Sequence, residues 1–165
     1  MNFLARREHS YRELVFKLRK RFSDSDEQII EEVSRLCSEG LQSDYRMASE
    51  YVHFRSKRGL GPKKIKAELK LKGISDSLLE QIFSESDVDW GNVLESVINK
   101  KTKQGGFALD SFEARHKVNT FLQKRGFELD QIKDFISWII REAASFSVAS
   151  IYKIRYLNRS RLFRV

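Results

Sequence analysis

Apolar residues recur along the chain at intervals of three and four, which is the spacing of one face of an α-helix. Serine, aspartate and glycine residues interrupt this pattern and divide it into eight segments. Ser10, with Glu13 three residues later, forms a capping box that predicts the start of the first helix. Pro62 suits the first position of the fourth helix, and Gly73 suits the left-handed residue that ends it. The pattern therefore predicts an all-α protein.

Polar side chains predict several of the other helix starts. Residues 23–26 offer a cap for the second helix, Asp44 is expected to cap the third, and Ser75 the fifth. Asp87 and Asp89 are expected to cap the sixth. Only one proline occurs in 165 residues, and this favours helices because all-β chains need many more turn-forming residues.

The pattern of the fourth helix recurs later in the chain at a fixed offset of 53 residues (118 − 65). The matched positions are Ile65, Leu69, Gly73 and Ile74 in one copy, and Val118, Leu122, Gly126 and Phe127 in the other. The first helix fits with an offset of 51 (65 − 14), but Arg21 stands where the turn glycine is expected. A period of about fifty residues with three helices in each unit is typical of α-helical repeat proteins.

We expect three tandem three-helix repeats that stack into an elongated, curved array of right-handed type. The predicted divisions are a first unit at 1–59, a second at 60–105, a third helical unit at 106–144, and a basic and apolar C-terminal extension at 145–165. The extension is expected to be either a further helix or a basic arm, and the sequence leaves both open.

The chain carries 31 Lys and Arg against 23 Asp and Glu, which gives a net charge of +8. This excess favours nucleic acid, an acidic protein or an anionic membrane surface as partner, while a basic surface without a partner is the alternative. Cys37 is the single cysteine, so an internal disulfide is excluded, and we expect a buried, unreactive thiol. No signal segment and no apolar run of membrane-spanning length is found in the sequence, so we expect a cytoplasmic protein.

Catalytic and metal-binding patterns are not found. His9, His53 and His116 have no metal-ligand spacing and are expected at the surface or its boundary. The turn from Gly59 to Pro62 lacks the spacing of a phosphate loop, although the amides at this helix start are expected to suit a phosphate or carboxylate. We therefore expect no enzyme activity, no cofactor and no metal.

The order of residues along most of the chain resembles the RecX family of bacterial recombination regulators. The residues that carry the resemblance are Ser10, Glu13 and Leu14, then Gly40, Asp44 and Tyr51, then Arg55, Gly59, Gly61, Pro62, Ile65, Glu68, Leu69, Gly73 and Ile74, and finally Trp90 and Arg125, Gly126 and Phe127. The resemblance implies three tandem three-helix units without catalytic residues. It also implies binding to the RecA filament on single-stranded DNA, with inhibition of ATP hydrolysis, strand exchange and coprotease activity, and so regulation of recombination, DNA repair and the SOS response.

Under this interpretation the basic residues form the contact surface. The first group comprises Arg55, Lys57, Arg58, Lys63, Lys64, Lys70 and Lys72. The second group comprises Lys100, Lys101, Lys103, Lys124 and Arg125. Ile65, Leu69 and Trp90 are expected in the core.

We expect a monomer with weak direct DNA binding, no small-molecule substrate and no membrane partner. Two alternatives stay open. One is a standalone module that binds nucleic acid without sequence preference, and the other is a helical scaffold for an acidic protein.

Overall fold

The computed structural model describes residues 7–22, 25–103 and 111–145. These residues form the helices α1 (Tyr11–Arg19), α2 (Asp26–Ser38), α3 (Asp44–Lys57), α4 (Pro62–Leu71), α5 (Asp76–Glu85), α6 (Trp90–Lys103), α7 (Phe112–Lys124) and α8 (Leu129–Ser145). No strand occurs in the described ranges, so the all-α prediction is confirmed. The extension predicted from residue 145 onward lies outside them, apart from Ser145, which ends α8.

The caps predicted at Ser10, Ser75 and Asp89 are confirmed, whereas Ser25 precedes α2 without a side-chain cap hydrogen bond. The Ser10 amide donates to Glu13 Oε2 at 3.3 Å, and the Glu13 amide donates to Ser10 Oγ at 3.1 Å, which completes the capping box. Pro62 is the first residue of α4. Ser75 and Asp89 each accept a hydrogen bond from the amide three residues later, at 3.3 and 3.0 Å.

The prediction that Asp44 caps α3 is wrong. Ser43 is the cap, and its hydroxyl accepts a hydrogen bond from an amide in the first turn of the helix. The Asp44 carboxylate instead accepts from the Tyr11 amide at 2.8 Å and from Gln42 Nε2 at 2.7 Å. Asp44 therefore ties the start of α3 to the start of α1.

Asp87 also differs from its predicted role. Its carboxylate lies 3.6 Å from His53 Nε2 on α3, and Asp89 alone provides the cap hydrogen bond of α6. Asp89 thus caps α6, whereas Asp87 is exposed and contacts α3.

The segment before α1 packs under the α2–α3 loop, and its histidine is buried. His9 is 3% exposed, so the expectation of a surface position is wrong. Gln42 Nε2 donates to the His9 carbonyl at 3.1 Å. Burial lowers the pKa of His9, and the nearby Arg7 charge lowers it further. Cys37 is half-buried, donates to Gln42 Oε1 at 2.9 Å, and has a thiol pKa that burial raises.

The apolar side chains collect in separate clusters. The first joins α1 to α2 and consists of Leu14, Val15, Ile29 and Val33. The second joins α3, α4 and α5 and consists of Met47, Ala48, Val52, Ile65, Leu69, Ile74, Leu79 and Ile82. The predicted core positions Ile65 and Leu69 are confirmed at 0% exposure, and Trp90 packs half-buried against the same cluster. The division predicted between 59 and 60 falls inside this second cluster.

Each end of α4 contacts a neighbouring three-helix repeat, and the two contacts lie at equivalent positions of the sequence repeat. At the first junction, Ser10 Oγ donates to the Lys72 carbonyl at 2.7 Å. At the second junction, the Gly61 amide donates to the Arg125 carbonyl at 2.8 Å. Gly61 lies 51 positions after Ser10 (61 − 10), and Arg125 lies 53 after Lys72 (125 − 72), which are the offsets of the sequence repeat. The repeat in the sequence therefore corresponds to a repeat of the contacts between helices.

A glycine sits in the turn at each junction. Gly73 and Gly126 have φ of 88° and 91°, as the left-handed helix stop requires. A Cβ at Gly73 would lie 2.7 Å from Arg12 Cδ, and one at Gly126 would lie 2.9 Å from Lys64 Cα. Each glycine thus serves both the turn and the close approach of the neighbouring helix.

The missing glycine of the first unit has an explanation in this packing. Phe22, which follows Arg21, is 51% exposed, whereas the equivalent Ile74 and Phe127 are buried at 4% and 2%. Phe22 is therefore not packed as its counterparts are, and the turn at Arg21 lacks the close packing found at Gly73 and Gly126.

The chain divides into two compact units, Met1–Phe127 and Glu128–Val165. The described part of the second unit is α8 together with Glu128. Among the described helices, none combines the length and the apolar character that crossing a membrane requires.

Candidate binding surface

Three of the predicted contact residues form intramolecular ion pairs. Arg55 on α3 forms a two-point ion pair with Glu68 on α4, at 2.8 Å from Nε and 2.5 Å from Nη2. Lys72 forms an ion pair with Glu13 across the first junction. Lys70 Nζ lies 2.5 Å from Asp76 at the start of α5. These three cations hold elements of the fold together.

The cationic partners of Glu68 and Glu13 lower the pKa values of these two carboxylates. Burial raises the pKa of Glu68, but the hydrogen bonds from Arg55 and Tyr51 outweigh burial and leave the pKa below its usual value of 4.5. Glu13 behaves in the same way, because the hydrogen bonds from Lys72 and from the Ser10 amide outweigh its burial. Both carboxylates therefore stabilise the folded state in their charged form.

Acid should destabilise the protein through these two groups. A carboxylate whose folded pKa is lowered contributes stability above its unfolded pKa, and this stability is lost as the pH falls through the folded pKa. We therefore expect the free energy of unfolding to decline below about pH 4.5. Glu68→Gln should cost about 1–2 kcal/mol at neutral pH and should flatten the decline. Urea unfolding followed from neutral pH to about pH 3 measures both effects.

Glu80→Gln provides the matched control, because Glu80 is exposed on α5 and forms no ion pair within the described residues. The control should keep both the stability and the acid sensitivity of the parent protein. Identical pH curves for Glu68→Gln and Glu80→Gln would show that the ion pair with Arg55 has no part in the acid response.

The remaining predicted cations gather around the second junction. Arg125 Nη1 donates to the Arg58 carbonyl at 3.2 Å and to the Gly59 carbonyl at 3.1 Å. Lys64 Nζ donates to the Lys124 carbonyl at 3.4 Å. These contacts join residues that are at least sixty positions apart in the sequence. The two predicted groups therefore meet in one surface.

Phe121 on α7 extends this surface. Lys101 Nζ lies 5.6 Å from the centre of its ring, and Arg125 Cζ lies 4.8 Å from it, both within cation–π distance. The half-buried ring thus brings together a lysine of α6 and the arginine that follows α7. We call the set of Arg58, Lys64, Lys101, Lys124 and Arg125 the junction cluster.

The junction cluster carries uncompensated positive charge. Across the described residues, none of its five members forms an ion pair with a carboxylate. Lys57, Lys63 and Lys100 are exposed beside members of the cluster in sequence. Lys103 ends α6. Concentrated charge of one sign attracts polyanions and accelerates their association.

The turn from Gly59 to Pro62 has a different role from the predicted one. The Lys63 amide donates to the Gly126 carbonyl at 3.1 Å, and the Gly61 amide donates to the Arg125 carbonyl. A Cβ at Gly61 would lie 2.6 Å from the Phe127 nitrogen, so no space is left for an anion at this point. The expectation that these two amides bind a phosphate or carboxylate is therefore wrong, and lysine and arginine side chains carry the positive surface instead.

The sequence alone does not reveal the contacts of Phe121 and Arg125. The apolar spacing places Phe121 only on the apolar face of its helix, yet two cations lie against its ring. The position of Arg125 follows from the offsets of 51 and 53 once the first junction is known. Because Ser10 contacts Lys72 there, the same offsets place Gly61 at the start of α4 against Arg125. Fold and surface together define a helical repeat protein with a basic surface at its second junction.

Comparisons with known proteins identify the family. Residues 43–81 match the family model described as RecX, second three-helix domain. The chain is 39% identical over 137 residues to the regulatory protein RecX of Pseudomonas putida strain GB-1, covering 83% of this chain and 86% of that protein. It is 35% identical over 133 residues to the regulatory protein RecX of Halorhodospira halophila, covering 81% of each.

A solved structure agrees with these relatives. The crystal structure of RecX from Lactobacillus salivarius superposes with a TM-score of 0.69 at 27% identity, covering 82% of this chain and 88% of that one. The chain belongs to the RecX family of regulatory proteins. The second three-helix domain of the family model spans α3, α4 and most of α5, which are the helices that share the second apolar cluster.

Proposed function

We propose that this protein regulates RecA by binding the RecA filament on single-stranded DNA. Membership of the RecX family supports the regulatory role. The observation that carries the proposal is the junction cluster, whose five unpaired cations come from four helices and the turns that follow them. A filament wrapped on DNA offers the phosphates that such a surface attracts.

The junction cluster suits this role because parts of it are held in place before binding. Arg125 is fixed by two carbonyls and by the Phe121 ring, and Lys64 is fixed by the Lys124 carbonyl. Groups that are already ordered lose less conformational entropy when a partner binds. Occupation of the filament would restrain the movements that ATP hydrolysis, strand exchange and coprotease activity require, and would thereby limit recombination, DNA repair and the SOS response.

An ATPase titration tests the proposal. RecA is assembled on single-stranded DNA, and this protein is added from well below to equal molar amounts. We expect hydrolysis to fall progressively, with a weaker effect at higher salt because the attraction between charged surfaces is screened. A constant ATPase rate across the titration would contradict the proposed function.

A standalone nucleic-acid-binding module is the second candidate, and the same five cations favour it. It predicts tight binding to single-stranded DNA without RecA, with an affinity that falls steeply with salt. Binding measurements on the bare oligonucleotide and on the RecA filament separate the two candidates. The RecA proposal requires the filament to be bound more tightly than the oligonucleotide.

A further inference from the structure

A groove of about 530 Å³ opens beside the first junction, at the end of α4 that is remote from the junction cluster. Tyr51 of α3 and the ion-paired Glu13 and Lys72 line it. Phe16 of α1 and Leu71 of α4 also contribute to its wall. The groove therefore combines apolar surface with an ion pair between Glu13 and Lys72.

Phe16 and Leu71 are exposed although both are apolar. Phe16 is 70% exposed and Leu71 is 80% exposed. The repeat shows that the fold does not need large apolar side chains here. The positions equivalent to Phe16 hold Ala67 and Thr120 (16 + 51, 67 + 53), and those equivalent to Leu71 hold Lys20 and Lys124 (71 − 51, 71 + 53). Two exposed apolar side chains on one groove indicate a surface that a partner covers.

The charges of the groove indicate what kind of partner fits. Its carboxylates have cations already, since Glu13 pairs with Lys72 and Glu68 pairs with Arg55. Arg12 is exposed at the groove and forms no ion pair within the described residues. The groove thus offers an apolar wall beside one unpaired guanidinium, which a carboxylate next to an apolar side chain would complement.

Nucleic acid fits this groove less well than protein does. Arg12 and Lys72 line the groove beside Glu13 and Glu68, so the charges balance and little net positive charge is left to attract the phosphates of a DNA strand. Phe16 offers one exposed ring, but Tyr51 is half-buried and Leu71 is aliphatic, so the groove does not present the series of exposed rings on which successive bases stack. The junction cluster, by contrast, has five unpaired cations.

We propose that the groove binds the protein component of the RecA filament, through a segment that presents an apolar side chain beside an aspartate or glutamate. This inference rests on the proposed function and assigns the two surfaces to different partners. The junction cluster faces DNA, and the groove at the other end of α4 faces protein. On α4, Lys64 of the junction cluster and Leu71 of the groove lie seven residues apart (71 − 64), which is about 10 Å along the helix.

The double variant Phe16→Ala with Leu71→Gln tests the proposal in the full chain. The probe is RecA assembled on a single-stranded oligonucleotide with a slowly hydrolysed ATP analogue, and binding is measured by fluorescence anisotropy of the labelled variant. We expect roughly tenfold or greater loss of affinity for the filament, because two apolar anchors are removed. Affinity for the bare oligonucleotide and the thermal midpoint should not change, since both side chains are exposed.

The matched control removes the same types of side chain elsewhere. Phe112 is 79% exposed and Leu41 is 53% exposed, and neither lines the groove. Phe112→Ala with Leu41→Gln should bind the filament as the parent protein does. An equal loss in this control would overturn the proposal, because the effect would then be general to exposed apolar residues.

Arg12 tests the carboxylate part of the proposal. Arg12→Gln should weaken filament binding several-fold at low salt, and Arg12→Lys should restore most of the affinity because it keeps the charge. If Arg12→Gln bound the filament with the same affinity as the parent protein, no carboxylate of the partner would pair with Arg12, and this part of the proposal would be wrong.

The outcomes separate the groove from the proposed function. If the parent protein does not bind the filament, both are overturned. If the parent binds and the Phe16/Leu71 variant binds equally well, only the groove is overturned. If that variant loses affinity for the bare oligonucleotide in the same proportion, the groove is a nucleic-acid site and the protein assignment is wrong.

Discussion

Replacing Gly126 with alanine should lower the free energy of unfolding by about 3 kcal/mol. Part of the loss comes from the φ of 91°, which costs an L-residue about 1–2 kcal/mol. The rest comes from the new Cβ, which would lie 2.9 Å from Lys64 Cα and would overlap the Lys64 nitrogen. Backbone atoms cannot rotate away as a side chain can, so the second junction would have to open. Urea unfolding followed by circular dichroism measures the loss.

Two other glycines separate the two contributions. Gly40 has a φ of 70° and has nothing within 4 Å of its Cβ position, so Gly40→Ala should cost about 1 kcal/mol. Gly61 has a φ of −84°, so Gly61→Ala reports the clash with the Gly126–Phe127 backbone without the strain. Equal losses for Gly126→Ala and Gly40→Ala would contradict the close packing at the second junction.

Removing two charges from the junction cluster should weaken filament binding about tenfold at moderate salt. The variant is Lys64→Gln with Lys124→Gln, which leaves Arg125 and its hydrogen bonds to the carbonyls in place. The dependence on salt should also become less steep, by about 0.7 in slope for each phosphate of a single strand that the variant no longer neutralises. Fluorescence anisotropy at several salt concentrations measures both the affinity and the slope.

Lys20 and Lys117 provide the control for this experiment. Both are exposed, both lie outside the junction cluster, and their replacement by glutamine changes the net charge of +8 by the same two units. This control should keep most of the affinity. Equal weakening in the two double variants would mean that net charge alone, and not the junction cluster, determines binding.

Local sequence signals are sufficient for the helices. The capping box at Ser10, the proline at the start of α4 and the glycines after α4 and α7 all act within one turn of the chain. Such features depend on neighbours in sequence, so a single sequence can reveal them.

Roles that depend on distant partners are beyond these signals. Ser43 and Asp44 are both good cap residues, and Asp44 instead accepts hydrogen bonds from Gln42 Nε2 and from the Tyr11 amide, which lies 33 positions away in the sequence. The sequence predicts Lys72 as a surface cation because its partner Glu13 lies 59 positions earlier. Local pattern gives the type of side chain but not the partner that folding brings to it.

The contacts at both ends of α4 constrain how this helix can change. Each residue added to an α-helix advances the chain by about 1.5 Å and turns it by about 100°. An insertion inside α4 would therefore rotate Gly61 away from Arg125 whenever Lys72 stayed against Ser10. Substitutions on the exposed face of α4 leave this register intact. The length of the helix is thus held to ten residues, while its exposed positions can change without moving the contacts at its two ends.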